Sequence, residues 1–184
     1  MKTILPETIR REMESLIEER IEKIKFDLRR EEIKNHPEWK DAISMEALKD
    51  LWWRDVNVSS QNNLMKFDWQ YSDSLLHVVK SIYPNYRVYS SGHFYYPKTG
   101  YMGWHTNSNE PQKRVYLVYA LEDQKSFFRY YKKDSMVTDY DNRGLNVREF
   151  EATDKRPFFW HCVGSECDRY SFGFKLLSAN EPHN

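Results

Sequence analysis

Three things are scarce in this chain, and each scarcity excludes something. Charge of one sign is the first. The 28 Lys and Arg are matched by 28 Asp and Glu, for a formal net charge of zero. The overall basic footprint of a dedicated nucleic-acid binder is therefore missing. Long apolar runs are the second. No stretch approaches the roughly 20 apolar residues of a membrane-spanning helix, and the start has no apolar leader core. Cysteine is the third, with Cys162 and Cys167 alone. Lacking a second pair, they argue against a cysteine-only zinc site and read as two reduced thiols. Together these absences lead us to expect a cytoplasmic protein with no membrane partner. There is also no internal repeat, low-complexity tract or linker, so residues 1–184 are expected to form a single domain.

Aromatic residues are abundant: 16% of the chain, including 13 Tyr and 6 Trp. They suit strands and stacking surfaces. The first part of the chain, residues 1–84, is mainly helical in pattern. Ile9, Met13, Ile17, Ile21, Ile24 and Leu28 form one apolar stripe over residues 6–34, with Pro6 at the start and Pro37 beyond the end. That stripe would pack on a sheet or, as the sharper reading, pair two copies in a homodimer. Further helices are expected over 45–54, capped by Ser44, and over 73–82, preceded by Ser72. Residues 56–64 read as a loop. His77 reads as a packed or surface histidine.

From residue 85 to 178 the pattern changes to short aromatic and β-branched runs between turn residues. Strands are expected at 86–96, 101–105, 114–121, 126–132, 145–151, 157–163 and 169–177, with breaks that include 139–144 and 164–168. Asp139 and Asp141 then belong to a turn. Short strands at this spacing suggest an α+β fold in which a jelly roll carries N-terminal supporting helices. Lys125, Arg129, Lys132 and Lys133 interleave with Phe127, Phe128, Tyr130 and Tyr131. That could touch a nucleic-acid strand, but ordinary strand alternation explains it better. His93 reads as a hydrogen-bonded core or surface histidine.

The chemistry concentrates in two stretches. His105-Thr106-Asn107 offers a histidine and a short oxygen-bearing side chain, which along a strand would share a face. His161 comes from a distant strand and is followed by Arg169 and Ser171. Two histidines and one carboxylate on one face of an octahedral metal form the facial triad of non-haem Fe(II) oxygenases. Arginine suits a bidentate carboxylate, and a serine hydroxyl can add a hydrogen bond. Trp104 and Trp160 each precede a histidine and should face the opposite way, into packing.

Tyr95-Tyr96-Pro97 ahead of His105-Thr106-Asn107, then His161-Cys162-Val163, then Arg169-Tyr170-Ser171, resembles the 2-oxoglutarate/Fe(II)-dependent dioxygenase superfamily. The likeness is to its prolyl-hydroxylase-like and nucleic-acid-demethylase-like branches, and it covers residues 86–178. The fold it implies is a double-stranded β-helix. It implies Fe(II) held by His105, His161 and position 107. It implies 2-oxoglutarate held by Arg169 and Ser171 with Tyr95 or Tyr96. The reaction would couple decarboxylation of 2-oxoglutarate, to succinate and CO₂, with hydroxylation of a small-molecule or peptide substrate.

One residue departs from that pattern: Asn107 stands where the family has a carboxylate. Asn107 can still ligate more weakly, Glu110 can substitute, or catalysis is lost and a non-catalytic jelly-roll binding module remains. A halogenase, with chloride in the open position, is a lesser alternative, and a cupin-like zinc or manganese protein a third.

Overall fold

The computed structural model describes residues 2–28, 38–53, 62–67 and 73–179. Its elements are α1 (Glu7–Leu28), α2 (Trp39–Ala42), α3 (Met45–Leu51), β1 (Asn62–Asn63), β2 (Met65–Lys66), α4 (Asp73–Ile82), β3 (Tyr86–Tyr96), β4 (Tyr101–His105), β5 (Lys113–Ala120), β6 (Ser126–Lys132), β7 (Ser135–Tyr140), β8 (Gly144–Glu151), β9 (His161–Ser165) and β10 (Arg169–Ser178).

The strands form two five-stranded sheets, ordered β1-β4-β9-β6-β7 and β2-β3-β10-β5-β8. Every pairing between these strands is antiparallel. The non-consecutive neighbours give a jelly-roll-like architecture. Strand alternation then sorts the side chains into three cores. Tyr96 and Phe150 of one sheet meet Phe128, Tyr130 and Val163 of the other in the middle layer. Burying one such side chain contributes roughly 1.5–3 kcal/mol.

The outer faces are covered by helices. Met13, Ile17 and Ile21 of α1 pack with Leu75, Val78 and Val79 of α4 on Val115, Leu117, Phe172 and Phe174. The middle of the α1 stripe, Met13, Ile17 and Ile21, is thus buried within the chain. On the other sheet Trp39, Ile43 and Leu48 pack over Trp104, Phe127, Trp160 and Cys162. Both tryptophans that precede a histidine therefore face away from it, and the Trp104 indole donates to Ser44 O at 2.8 Å. Ser44 also caps α3, accepting from Ala47 N at 3.1 Å. Both cysteines are buried free thiols. Burial pushes the Cys162 thiol up, so it stays protonated. No helix among the described residues is long and apolar enough to cross a membrane.

Several expectations need correction. The long helix is described over Glu7–Leu28 only; its expected continuation to 34, the Ser72 cap and Arg54 lie outside the described residues. The expected loop at 56–64 contains β1, which pairs Asn62 with Met102 and Asn63 with Tyr101. The strand expected at 157–163 starts only at His161, because the preceding aromatics turn, with Trp160 N donating to Phe158 O at 3.0 Å. The expected 139–144 break hides the end of β7, whose Asp139 and Tyr140 pair with Phe128 and Phe127 of β6. Asp141, taken for a turn residue, is wholly buried. In β6, Arg129 faces outward and donates to Ile43 O at 2.8 Å, while Phe128 and Tyr130 point between the sheets. Alternation accounts for that segment. His93 bonds Ser90 Oγ at 2.8 Å and packs against Phe67 and Phe172.

Candidate metal centre

His105 ends β4 and His161 begins β9, and the two are direct partners across the sheet. An irregularity between Met102 and His105 in that pairing keeps Trp104 outward and turns His105 inward. The ring centroids are 4.0 Å apart. Each ring is held from behind by a carbonyl: His105 Nδ1 lies 2.9 Å from Gly103 O, and His161 Nδ1 lies 2.9 Å from Phe159 O. A carbonyl only accepts, so both Nδ1 atoms carry the proton. The Nε2 atoms of the neutral rings therefore carry lone pairs, and that of His161 accepts from Asn107 Nδ2. Burial lowers the His105 pKa to about 4, against the pull of its Gly103 bond, and Arg114 adds to the lowering. Burial, then the neighbouring His105, holds His161 well below its ordinary value. Neutral imidazoles with Nδ1–H fixed by a carbonyl are the form that binds metals.

Asn107 reaches the pair differently from the strand argument. It lies beyond the end of β4, in the left-handed region at φ 57°, and this turn, not a shared strand face, aims its side chain at His161. Its Nδ2 donates to His161 Nε2 at 3.1 Å, with Tyr116 Oη at 3.5 Å. Glu110, the substitute carboxylate, is committed elsewhere. It accepts from Lys175 Nζ at 2.6 Å and from Arg114 Nη2 at 3.3 Å. Among the described residues, no three His, Cys, Asp or Glu side chains gather as a metal site.

These groups open onto a cavity of about 240 Å³ between the sheets, lined by Tyr96, His105, Asn107, Arg114, Tyr116, His161, Ser171 and Lys175 among others. Tyr96 and Ser171 are there as expected. Tyr95 is not: it points to the opposite face, packs on Tyr170 and donates to Asp168 Oδ1 at 2.9 Å. Arg169 is not in the lining either. It stacks over the Tyr96 ring at 4.8 Å and its Nε donates to Asp141 Oδ2 at 3.1 Å. Asp141 also pairs with Arg148 and accepts from Ser126 Oγ at 2.6 Å. Burial alone would raise this carboxyl, but the two arginines outweigh it and hold it below the usual range.

Sequence reasoning missed Arg114, Tyr116, Lys175 and the Asp141–Arg148 pair. Period two was the available signal. Arg169, Ser171, Gly173 and Lys175 alternate along β10, as Arg114 and Tyr116 do along β5.

The donor set fits a divalent metal through two unprotonated imidazole nitrogens, with the Asn107 amide oxygen as a neutral third group once its Nδ2 releases His161. The fit to a ligand carboxylate at Arg169 is partial. Nη1 and Nη2 are buried without an acceptor, which suits an anion, but Asp141 already holds Nε.

No protein-family model and no curated protein matches the sequence. The chain is similar in structure to a prolyl-4-hydroxylase from Pseudomonas putida, at 13% identity and TM-score 0.40, over 62% of this chain and 68% of that one. It is also similar to an oxidoreductase of the 2OG-Fe(II) oxygenase family from Burkholderia pseudomallei, at 8% identity and TM-score 0.41, over 72% and 76%. A cupin domain from Bordetella pertussis gives 13% identity and TM-score 0.31, over 51% and 95%. These likenesses are distant, and the fold stands on the strand order above.

Proposed function

We propose that this protein is a 2-oxoglutarate/Fe(II)-dependent oxygenase-like hydroxylase of a small-molecule or peptide substrate. One observation carries the reading. His105 and His161 face each other across a single rung with both Nε2 atoms unprotonated, at a cavity between two sheets, and among the described residues only the Asn107 amide bonds one of them. In this reading His105, His161 and Asn107 hold the iron. Tyr96 and Ser171 line the co-substrate's path, and the unaccepted Nη atoms of Arg169 lie behind Tyr96. Bound iron would supply the oxygen activation that couples 2-oxoglutarate decarboxylation to hydroxylation. The chain itself keeps both histidines neutral and oriented, with Phe128, Phe150 and Phe159 packed against His161.

A non-catalytic binding module is the second reading. It is favoured by the neutral Asn107 and by Asp141, which claims part of Arg169 from within the chain. The halogenase alternative has less support, because Asn107 is nearly as large as the carboxylate it replaces and its amide lies against His161 Nε2 at 3.1 Å. Anaerobic addition of Fe(II) and 2-oxoglutarate separates the readings. The oxygenase is expected to give a visible charge-transfer band and, on admitting air, succinate, both lost in His105→Ala. No band and no succinate above that control would leave the binding module.

A further inference from the structure

We propose that Arg114 and Lys175 form an anion subsite at the His105–His161 cavity, and that the substrate held there carries a carboxylate. The word substrate rests on the oxygenase reading; the subsite itself does not. Three observations carry it.

The first is charge. The two histidines apart, the acidic and basic side chains of the lining are Arg114, Lys175 and Glu110. They leave one positive charge in excess beside a metal position that lacks its usual anionic ligand.

The second is burial. The Arg114 side chain is 4% exposed, and its Nε is buried with no acceptor. A guanidinium buried with an unused donor against a cavity wall is suited to a ligand that brings an acceptor.

The third is that the chain already shows a carboxylate in place. Glu110 bridges the two cations, Oε1 on Lys175 Nζ at 2.6 Å and Oε2 on Arg114 Nη2 at 3.3 Å. Glu110 is 44% exposed and sits in the turn after Asn107, so solvent can take it over when a ligand carboxylate replaces it. A planar carboxylate matches the arginine fork and the point charge of lysine together.

The test is calorimetric titration of the full chain, without added metal, with benzoate and succinate and with their neutral amides, benzamide and succinamide. The acids are expected to bind about tenfold or more tighter than the amides, the effect of one charge-assisted hydrogen bond. Arg114→Met should erase that preference and Lys175→Met should reduce it. Glu110→Gln should tighten acid binding several-fold by removing the competitor, a gain that damage to the fold cannot mimic. Equal binding of acid and amide, no binding of any probe, or no tightening in Glu110→Gln would overturn the proposal. A chain that prefers the acids but takes up no iron would refute the oxygenase reading and retain the subsite. A chain that binds iron and 2-oxoglutarate without that preference would do the reverse.

Discussion

Two charged clusters lie between the sheets, and both combine two cations with one carboxylate. Arg114 and Lys175 share Glu110 beside the histidines; Arg148 and Arg169 share Asp141 on the far side of Tyr96. They differ in exposure. Side-chain exposure is 44% for Glu110 and 0% for Asp141. An exposed carboxylate exchanges its partners for water at little cost, whereas a buried one leaves two desolvated guanidiniums behind. The same charges therefore make a replaceable contact in one place and a fixed brace in the other. Ligand chemistry belongs at the replaceable cluster.

The sharpest way to break this comparison is to neutralise each carboxylate in turn. Asp141→Asn is expected to cost about 3–5 kcal/mol, because it strands two buried arginines. Glu110→Gln should cost less than about 1 kcal/mol. Denaturant unfolding of both variants decides it, and equal costs would erase the distinction.

Acid titration sharpens the same contrast. The Asp141 carboxyl is held below its ordinary value of 3.8, so the unfolded chain takes up its proton first. Its stabilisation is fully present above pH 3.8 and is lost as the pH falls below that through the folded value. The gap between wild type and Asp141→Asn should therefore be constant at neutral pH and shrink only in strong acid. A gap already closing near pH 6 would point to another group.

At the histidines, Asn107→Asp is expected to tighten divalent-metal binding about tenfold by adding a charged ligand, read by metal titration. No change would mean that position 107 does not reach the metal. The smallest effect lies outside the cavity. Ser44→Ala should cost about 1 kcal/mol through loss of the α3 cap, measured by thermal unfolding.

Alternation made much of the β half readable. It set the strands of residues 86–96 and 169–177 and the outward packing of Trp104 and Trp160. The α1 stripe was equally plain. The cavity lining was legible only where side chains sit on regular strand pairing, as at His161 and Ser171. Asn107 reaches the pair through a left-handed turn, which no periodicity encodes. Asp141 stands in a turn-like Asp-x-Asp-Asn-Arg-Gly run, and nothing local reveals that Arg148 and Arg169 enclose it. Tyr95 and Tyr96 could not be separated without register: Tyr95 pairs with Tyr170 and Tyr96 with Arg169 in one rung each, on opposite faces.

The oxygenase reading requires two neutral imidazoles that offer Nε2 to a metal, His161 by exchanging its bond from Asn107. The most direct measurement is ¹⁵N correlation NMR of the histidine rings at neutral pH, before and after Zn(II). We expect His105 and His161 to be protonated at Nδ1 alone, with both Nε2 resonances moving on metal addition. Protonation at Nε2 in either ring, or Nε2 resonances indifferent to metal, would contradict it.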